Sequence, residues 1–168
     1  DAAPSITIED VSIGEGNGGQ RTAVFRLHLS APSGKLVKVS YATGVGTATA
    51  GTDYDAVSAT QIAFTTGQTV TLARVLINGD TLNEENETFK VNLSGAINAT
   101  IGDNQAIGTI LNDDPAPSIS INDVNISEDN SGTKNLKFTV SLSAPSAKTI
   151  SVNYTTADGV ARSTTDDG

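Results

Sequence analysis

The chain repeats itself once, without a gap, at an offset of 113 residues. Pro4-Ser5-Ile6-Thr7-Ile8-Glu9-Asp10-Val11 returns as Pro117-Ser118-Ile119-Ser120-Ile121-Asn122-Asp123-Val124. Leu29-Ser30-Ala31-Pro32-Ser33 returns as Leu142-Ser143-Ala144-Pro145-Ser146, and Val39-Ser40-Tyr41 as Val152-Asn153-Tyr154. Such a period is far too long for a solenoid unit and is the size of a small domain. The 168 residues therefore divide into one complete module at 1–114, a joint at 115–117 and the front part of a second module at 118–168. Two prolines in Pro115-Ala116-Pro117 make that joint short and stiff.

Within each module the period is two. Apolar and polar residues alternate through Ser5–Ile8, Phe25–Leu29, Val37–Tyr41, Val70–Leu72, Phe89–Leu93 and Ile107–Leu111. Alternation of this kind turns one face of a strand inward and the other to water. Turn residues separate the runs: Gly14–Gly19, Pro32-Ser33-Gly34, Thr66-Gly67-Gln68, Asn78-Gly79-Asp80 and Gly102-Asp103-Asn104. The pattern predicts an all-β chain: an antiparallel, immunoglobulin-like β-sandwich of about seven strands, followed by a partial second sandwich. Only Leu82–Glu87 has room for a brief helical turn. Tyr41, Tyr154, Phe64 and Phe89 are expected core anchors, and Gly14–Gly19 a mobile connection.

Composition narrows the chemistry. Lys and Arg total 10 against 19 Asp and Glu, a net charge of -9. No basic stripe is available for phosphates, so nucleic acid is an unsuitable partner, and cations are favoured as ligands. With no Cys, thiol catalysis and zinc–thiolate sites are excluded. No apolar run approaches the length of a membrane span, and Asp1-Ala2-Ala3-Pro4 carries neither the basic nor the apolar region of a signal peptide. The single histidine, His28, alternates with Phe25, Leu27 and Leu29 and is expected on the outer face, without a neighbouring acid. No G-x-S-x-G is present. The lack of Trp and the scarcity of other rings leave little aromatic platform for sugars, which argues against glycoside hydrolysis; with no nucleophile motif either, the chain is read as no enzyme.

The acids gather beside the turns: Glu15, Asp53 with Asp55, Asp80, Glu84-Glu85 with Glu87, and Asp113-Asp114. Loops of a sandwich cluster at its two ends, so acids distant in sequence can meet. Carboxylates brought together repel one another unless some are protonated or a cation binds. Charged oxygen ligands without His or Cys suit a hard cation of high coordination number, Ca²⁺ above Mg²⁺. Acids that merely solvate loops give the same pattern.

Further residues carry a resemblance. Ala48-Thr49-Ala50-Gly51-Thr52-Asp53-Tyr54 is followed by Ile62-Ala63-Phe64-Thr65-Thr66-Gly67-Gln68, then Val75-Leu76-Ile77-Asn78-Gly79-Asp80. Glu84-Glu85-Asn86-Glu87-Thr88-Phe89-Lys90-Val91-Asn92-Leu93-Ser94 and the closing Gly108-Thr109-Ile110-Leu111-Asn112-Asp113-Asp114 complete the set. In this order the motifs resemble a Calx-beta domain over residues 4–114, and in part over 117–168. That family includes regulatory calcium-binding domains of sodium–calcium exchangers and tandem repeats of large bacterial surface proteins.

The resemblance implies a calcium site built from Glu15, Asp53, Asp80, Glu84, Glu87, Asp113 and Asp114. Gly79 and Asn112 stand where calcium-binding members often carry acids, which implies one or two ions. In the second module Glu128 repeats Glu15 and Asp166 repeats Asp53, while Asp167 replaces Tyr54. Its open strand edges invite a protein partner or self-association. The implied function is a calcium-binding structural or adhesion repeat of a larger extracellular or cell-surface protein, with calcium stiffening the loop end and the joint. A regulatory calcium sensor, a metal-free interaction module and an accessory domain of an exported enzyme share the same sandwich.

Overall fold

A computed structural model describes residues 2–160. Every regular element among them is a strand. The first repeat holds β1 (Ser5–Ile8), β2 (Val11–Gly14), β3 (Gln20–Leu29), β4 (Val37–Gly44), β5 (Thr60–Phe64), β6 (Val70–Asn78), β7 (Glu87–Ile97), β8 (Thr100–Ile101) and β9 (Gln105–Leu111). These form two sheets, ordered β6-β3-β1-β8 and β2-β9-β7-β4-β5. Most pairings are antiparallel, but β1 runs parallel to β8 and β2 parallel to β9. The strand count exceeds seven chiefly because the first run breaks at Glu9-Asp10 and crosses from one sheet to the other. The Asp10 carboxylate accepts the Ile107 N–H at 2.7 Å and so ties the crossing point to the second sheet. Leu82–Glu87 is an irregular loop with no helical turn.

The alternation becomes two facing apolar layers. Ala23, Phe25, Leu27 and Leu29 of β3 face Val37, Val39 and Tyr41 of β4 and Phe89, Val91 and Leu93 of β7, all buried. Phe25 meets Phe89 edge-on, with centroids 5.9 Å apart, and Tyr54 stacks on Phe89 at 4.6 Å. Gly108 lies directly across from Phe89, where any Cβ would strike the ring, so glycine there is a packing requirement. The buried cluster lies wholly within residues 6–110. The first repeat therefore carries its entire core.

In the second repeat β10 (Ile119–Ile121) pairs with β11 (Val140–Leu142). The register Ile119↔Leu142 and Ile121↔Val140 copies Ile6↔Leu29 and Ile8↔Leu27. The surroundings are not copied. Phe138 is 49% exposed where its counterpart Phe25 is fully buried, and Tyr154 is 90% exposed where Tyr41 is 7% exposed. Tyr154 is thus no core anchor in this structure: among the described residues, no strand of the second repeat stands in the place of β6, β7 or β9. Asp166 and Asp167 lie outside the described residues.

His28 also departs from expectation. Its Nε2 lies 2.7 Å from Glu9 Oε1, because pairing of Thr7 with His28 brings the end of β1 alongside.

Candidate metal centre

Parallel pairing builds the first half of the site. β2 and β9 end side by side at Gly14↔Leu111, so the residues that follow, Glu15 and Asp113-Asp114, emerge together although nearly a whole repeat separates them. The Glu15 N–H extends the ladder to the Leu111 carbonyl at 3.2 Å. The glycine loop after it is fastened rather than free: Gly16 N–H donates to Asp113 Oδ1 at 3.1 Å. Asn17 Nδ2 donates to Asp114 Oδ1, also at 3.1 Å. Arg21 reaches the rim, donating to the Gly14 carbonyl at 3.0 Å with Asp113 Oδ2 3.7 Å away.

The second half comes from three other connections. Asp53 sits in a turn closed on itself, in which Thr49 N–H donates to Asp53 Oδ2 at 2.5 Å and Asp53 N–H donates to Thr49 O at 2.9 Å. Tyr54, buried against Phe89, holds that turn to the core. Glu87 opens β7 opposite Ile110, and Glu84 precedes it in the irregular loop. Asp80 follows β6, and its Oδ1 accepts the Leu82 N–H at 2.7 Å.

Six of the seven acids fall into two groups, Glu15–Asp113–Asp114 and Asp53–Glu84–Glu87. In each group one oxygen per residue lies within 4.8 Å of the others. Two oxygens on opposite sides of a calcium ion are about 4.6–5.2 Å apart, given Ca–O distances of roughly 2.3–2.6 Å. Asp80 belongs to neither group but adds its charge to both, acting on Glu15, Glu84 and Asp114.

Electrostatics mark the cluster as short of positive charge. Burial, followed by the charges of Asp80, Glu84, Asp114 and Asp113, raises the Glu15 carboxyl to about 7. Burial, then a hydrogen bond and charge from Asp53, raises Glu87 to about 7. Glu84 and Asp114 move up as well, again with burial first and neighbouring acids second. Glu15 and Asp114 are 4% and 5% exposed, and Glu15 Oε1 and Asp114 Oδ2 are buried without a hydrogen-bond partner. A buried carboxylate oxygen without a donor carries a large desolvation cost. A divalent cation removes that cost for both oxygens, so the donor set fits calcium.

Both departures from an all-acid site have structural reasons. A Cβ on Gly79 would collide with the Gly16 and Glu15 carbonyls, so an acid there would displace the loop that carries Glu15. Asn112 is a crosslink: its Oδ1 accepts the Glu84 N–H at 3.0 Å while its Nδ2 donates to Asp114 O at 3.0 Å. A carboxylate could make only the first of these bonds.

Asn83 is a site residue that the sequence patterns do not single out. It is 6% exposed, and its Nδ2 donates to Asp114 O at 2.9 Å. Its own carbonyl accepts Ala147 N–H and Ser146 Oγ of the second repeat, each at 3.1 Å. Beside it Lys148 Nζ lies 3.1 Å from Glu85 Oε1. The second repeat thus rests on the loop that supplies Glu84 and Glu87. Nothing in the local sequence separates Asn83 from its neighbour Asn86; its role arises from packing.

Comparison with known proteins agrees with this architecture. The chain superposes on an apo-form Calx CBD1 domain with a TM-score of 0.59 at 23% identity, covering 67% of this chain and all of that one. It superposes on CBD12 from CALX1.2 with a TM-score of 0.59 at 24% identity, covering 74% of this chain and 52% of that one. For the calcium binding domain CBD12 of CALX1.1 the TM-score is 0.56 at 24% identity, covering 65% of this chain and 44% of that one. The chain therefore spans about half of these CBD12 structures. At such identities the likeness establishes the fold. A search of curated proteins finds no match. The Calx-beta domain model matches twice, over residues 1–115 and 112–167, and the chain belongs to the Calx-beta domain family.

Proposed function

We propose that the chain is a calcium-binding structural repeat, in which calcium neutralises the acidic end of the first repeat and stiffens its joint to the second. One observation carries this reading: Glu15 Oε1 and Asp114 Oδ2 are buried, unpartnered and surrounded by further carboxylates. Membership of the family and the likeness to the calcium binding domain CBD12 of CALX1.1 support the choice of ion. Coupling to the joint follows from Asp114, whose side chain belongs to the first acidic group. Its carbonyl is held by Asn83, and Pro115 follows it directly. The role is architectural rather than catalytic, within a larger extracellular or cell-surface protein.

Calcium titration by calorimetry, with thermal unfolding in calcium and in chelator, tests the reading. Saturable heat and a rise in Tm are expected. A free calcium concentration one hundred times Kd stabilises the folded form by about 2.7 kcal/mol. For a domain of this size that is a rise of roughly 10 °C or more. A protein that gives neither heat nor shift has only solvated acids, and the reading fails. The asparagine bridge between ion site and second repeat also suits a sensor. Saturation at micromolar calcium would favour that use, and a millimolar requirement the structural one.

A further inference from the structure

The contact between the repeats has an unused twin. In the second repeat Lys148 N–H donates to Ser146 Oγ at 3.1 Å; in the first, Lys35 N–H donates to Ser33 Oγ at 3.0 Å. The strands carrying the two turns match as well, since Ser5 N–H donates to Ser30 Oγ and Ser118 N–H to Ser143 Oγ, both at 2.9 Å. The second-repeat turn is docked, presenting an N–H, a hydroxyl and an ammonium to the Asn83–Glu85 loop. The first-repeat turn bears the same three donors, but Gly34 and Lys35 are exposed, and Lys35 forms no ion pair among the described residues. It borders an open cavity of about 520 Å³ lined in part by Pro4, Ser33, Lys35 and Asn98. At the observed joint a crevice lies between Ala147-Lys148 and the Glu84–Glu87 loop.

We propose that the Ser33–Lys35 turn is a docking surface for the acidic loop of another Calx-beta repeat, received head-to-tail as Ser146–Lys148 receives Asn83–Glu85. The partner is defined by its chemistry: a loop offering a backbone carbonyl and, two residues later, a carboxylate. Donor and acceptor surfaces lie at different places on one repeat, so the contact is heterologous and leaves each repeat one surface of each kind. Charge complementarity of lysine and glutamate sets the register. The proposal rests on the observed contact between repeats and does not depend on ion binding.

A tandem of two first repeats tests it, with residues 1–116 followed directly by 4–116, so that the Pro-Ala-Pro joint is kept. The first repeat holds its whole core and can be used in this way. Amide shifts at Asn83–Glu85 of the leading copy and Ser33–Lys35 of the trailing copy, measured against residues 1–116 alone, are expected with rotational diffusion as one body. Lys35→Glu in the trailing copy should abolish both, and Glu85→Lys in the leading copy should restore them. Two copies that tumble independently in the unmodified tandem overturn the proposal. Recording the tandem in chelator and in calcium separates this failure from a failure of ion binding, which calorimetry reads on its own.

Discussion

The carboxamide of Asn83 donates to the carbonyl of Asp114 at 2.9 Å, while the Asn83 carbonyl receives the second repeat through Ala147 and Ser146. One buried residue thus joins the acidic terminus of the first repeat to the turn of the second. Asn83→Ala leaves the Asp114 carbonyl with Asn112 Nδ2 as its remaining donor, so loss of the bond should cost about 0.5–1.5 kcal/mol. Denaturant unfolding of the first repeat should report that loss. Asn83→Asp should behave no better, because a carboxylate cannot donate and adds charge to the cluster. Faster amide exchange at Ala147 should accompany either change; unchanged stability in both would show that the bridge is incidental.

Removing an acid should act with opposite signs on the two states. In the calcium-free protein Asp114→Asn and Asp53→Asn relieve repulsion within each group, so Tm in chelator should rise or hold. If the proposed site is right, each removes a charged ligand in the calcium-bound protein, and affinity should fall at least tenfold, which is about 1.4 kcal/mol. Glu85→Gln is the control: its carboxylate pairs with Lys148, belongs to neither group and should leave affinity within about twofold. Equal affinity across all three variants would sink the assignment of the ligands.

The acidity of the cluster gives a pH dependence with a definite sign. Glu15 and Glu87 titrate at about 7 in the folded protein, against an ordinary 4.5. A carboxyl raised on folding exacts no penalty below its unfolded value and destabilises progressively as pH climbs from 4.5 through 7. The calcium-free protein should therefore be more stable at pH 5 than at pH 8. Each group accounts for about 3 kcal/mol at most, and shared repulsion makes the sum smaller. Saturating calcium should flatten the fall, and affinity should rise over the same interval because the ion must displace protons. A calcium-free Tm that does not fall between pH 5 and pH 8 would show that the cluster is not repulsive.

The sandwich and the clustering of acids were legible because both follow from local pattern. Alternation places Phe25 and Val39 inward whatever the topology, and strand ends gather wherever a sandwich forms. What depends on register was hidden. His28 meets Glu9 only because Thr7 faces His28 across β1 and β3. The Gly14–Gly19 loop looked mobile because its anchors, Asp113 and Asp114, are remote in sequence. Tyr154 shares its residue type and repeat position with Tyr41, yet burial belongs to the covering strands and not to the residue.

Gly79 offers the sharpest contrast between the two ways of reading a residue. By charge alone it is a lost ligand, and Gly79→Asp should strengthen the site. By geometry the first atom of any side chain meets the carbonyls of Gly16 and Glu15, which are backbone and cannot swing aside. Gly79 N–H is also bonded to Gly19 O at 3.0 Å, so the two loops are held close. Gly79→Asp and Gly79→Ala should both push away the loop that presents Glu15, destabilising the protein by about 1–3 kcal/mol as overpacking does. Calcium affinity should fall in both. Calorimetry on the pair separates charge from shape: tighter binding by the aspartate variant would show that the loop yields and that charge governs, whereas matched losses would show that the backbone contact does.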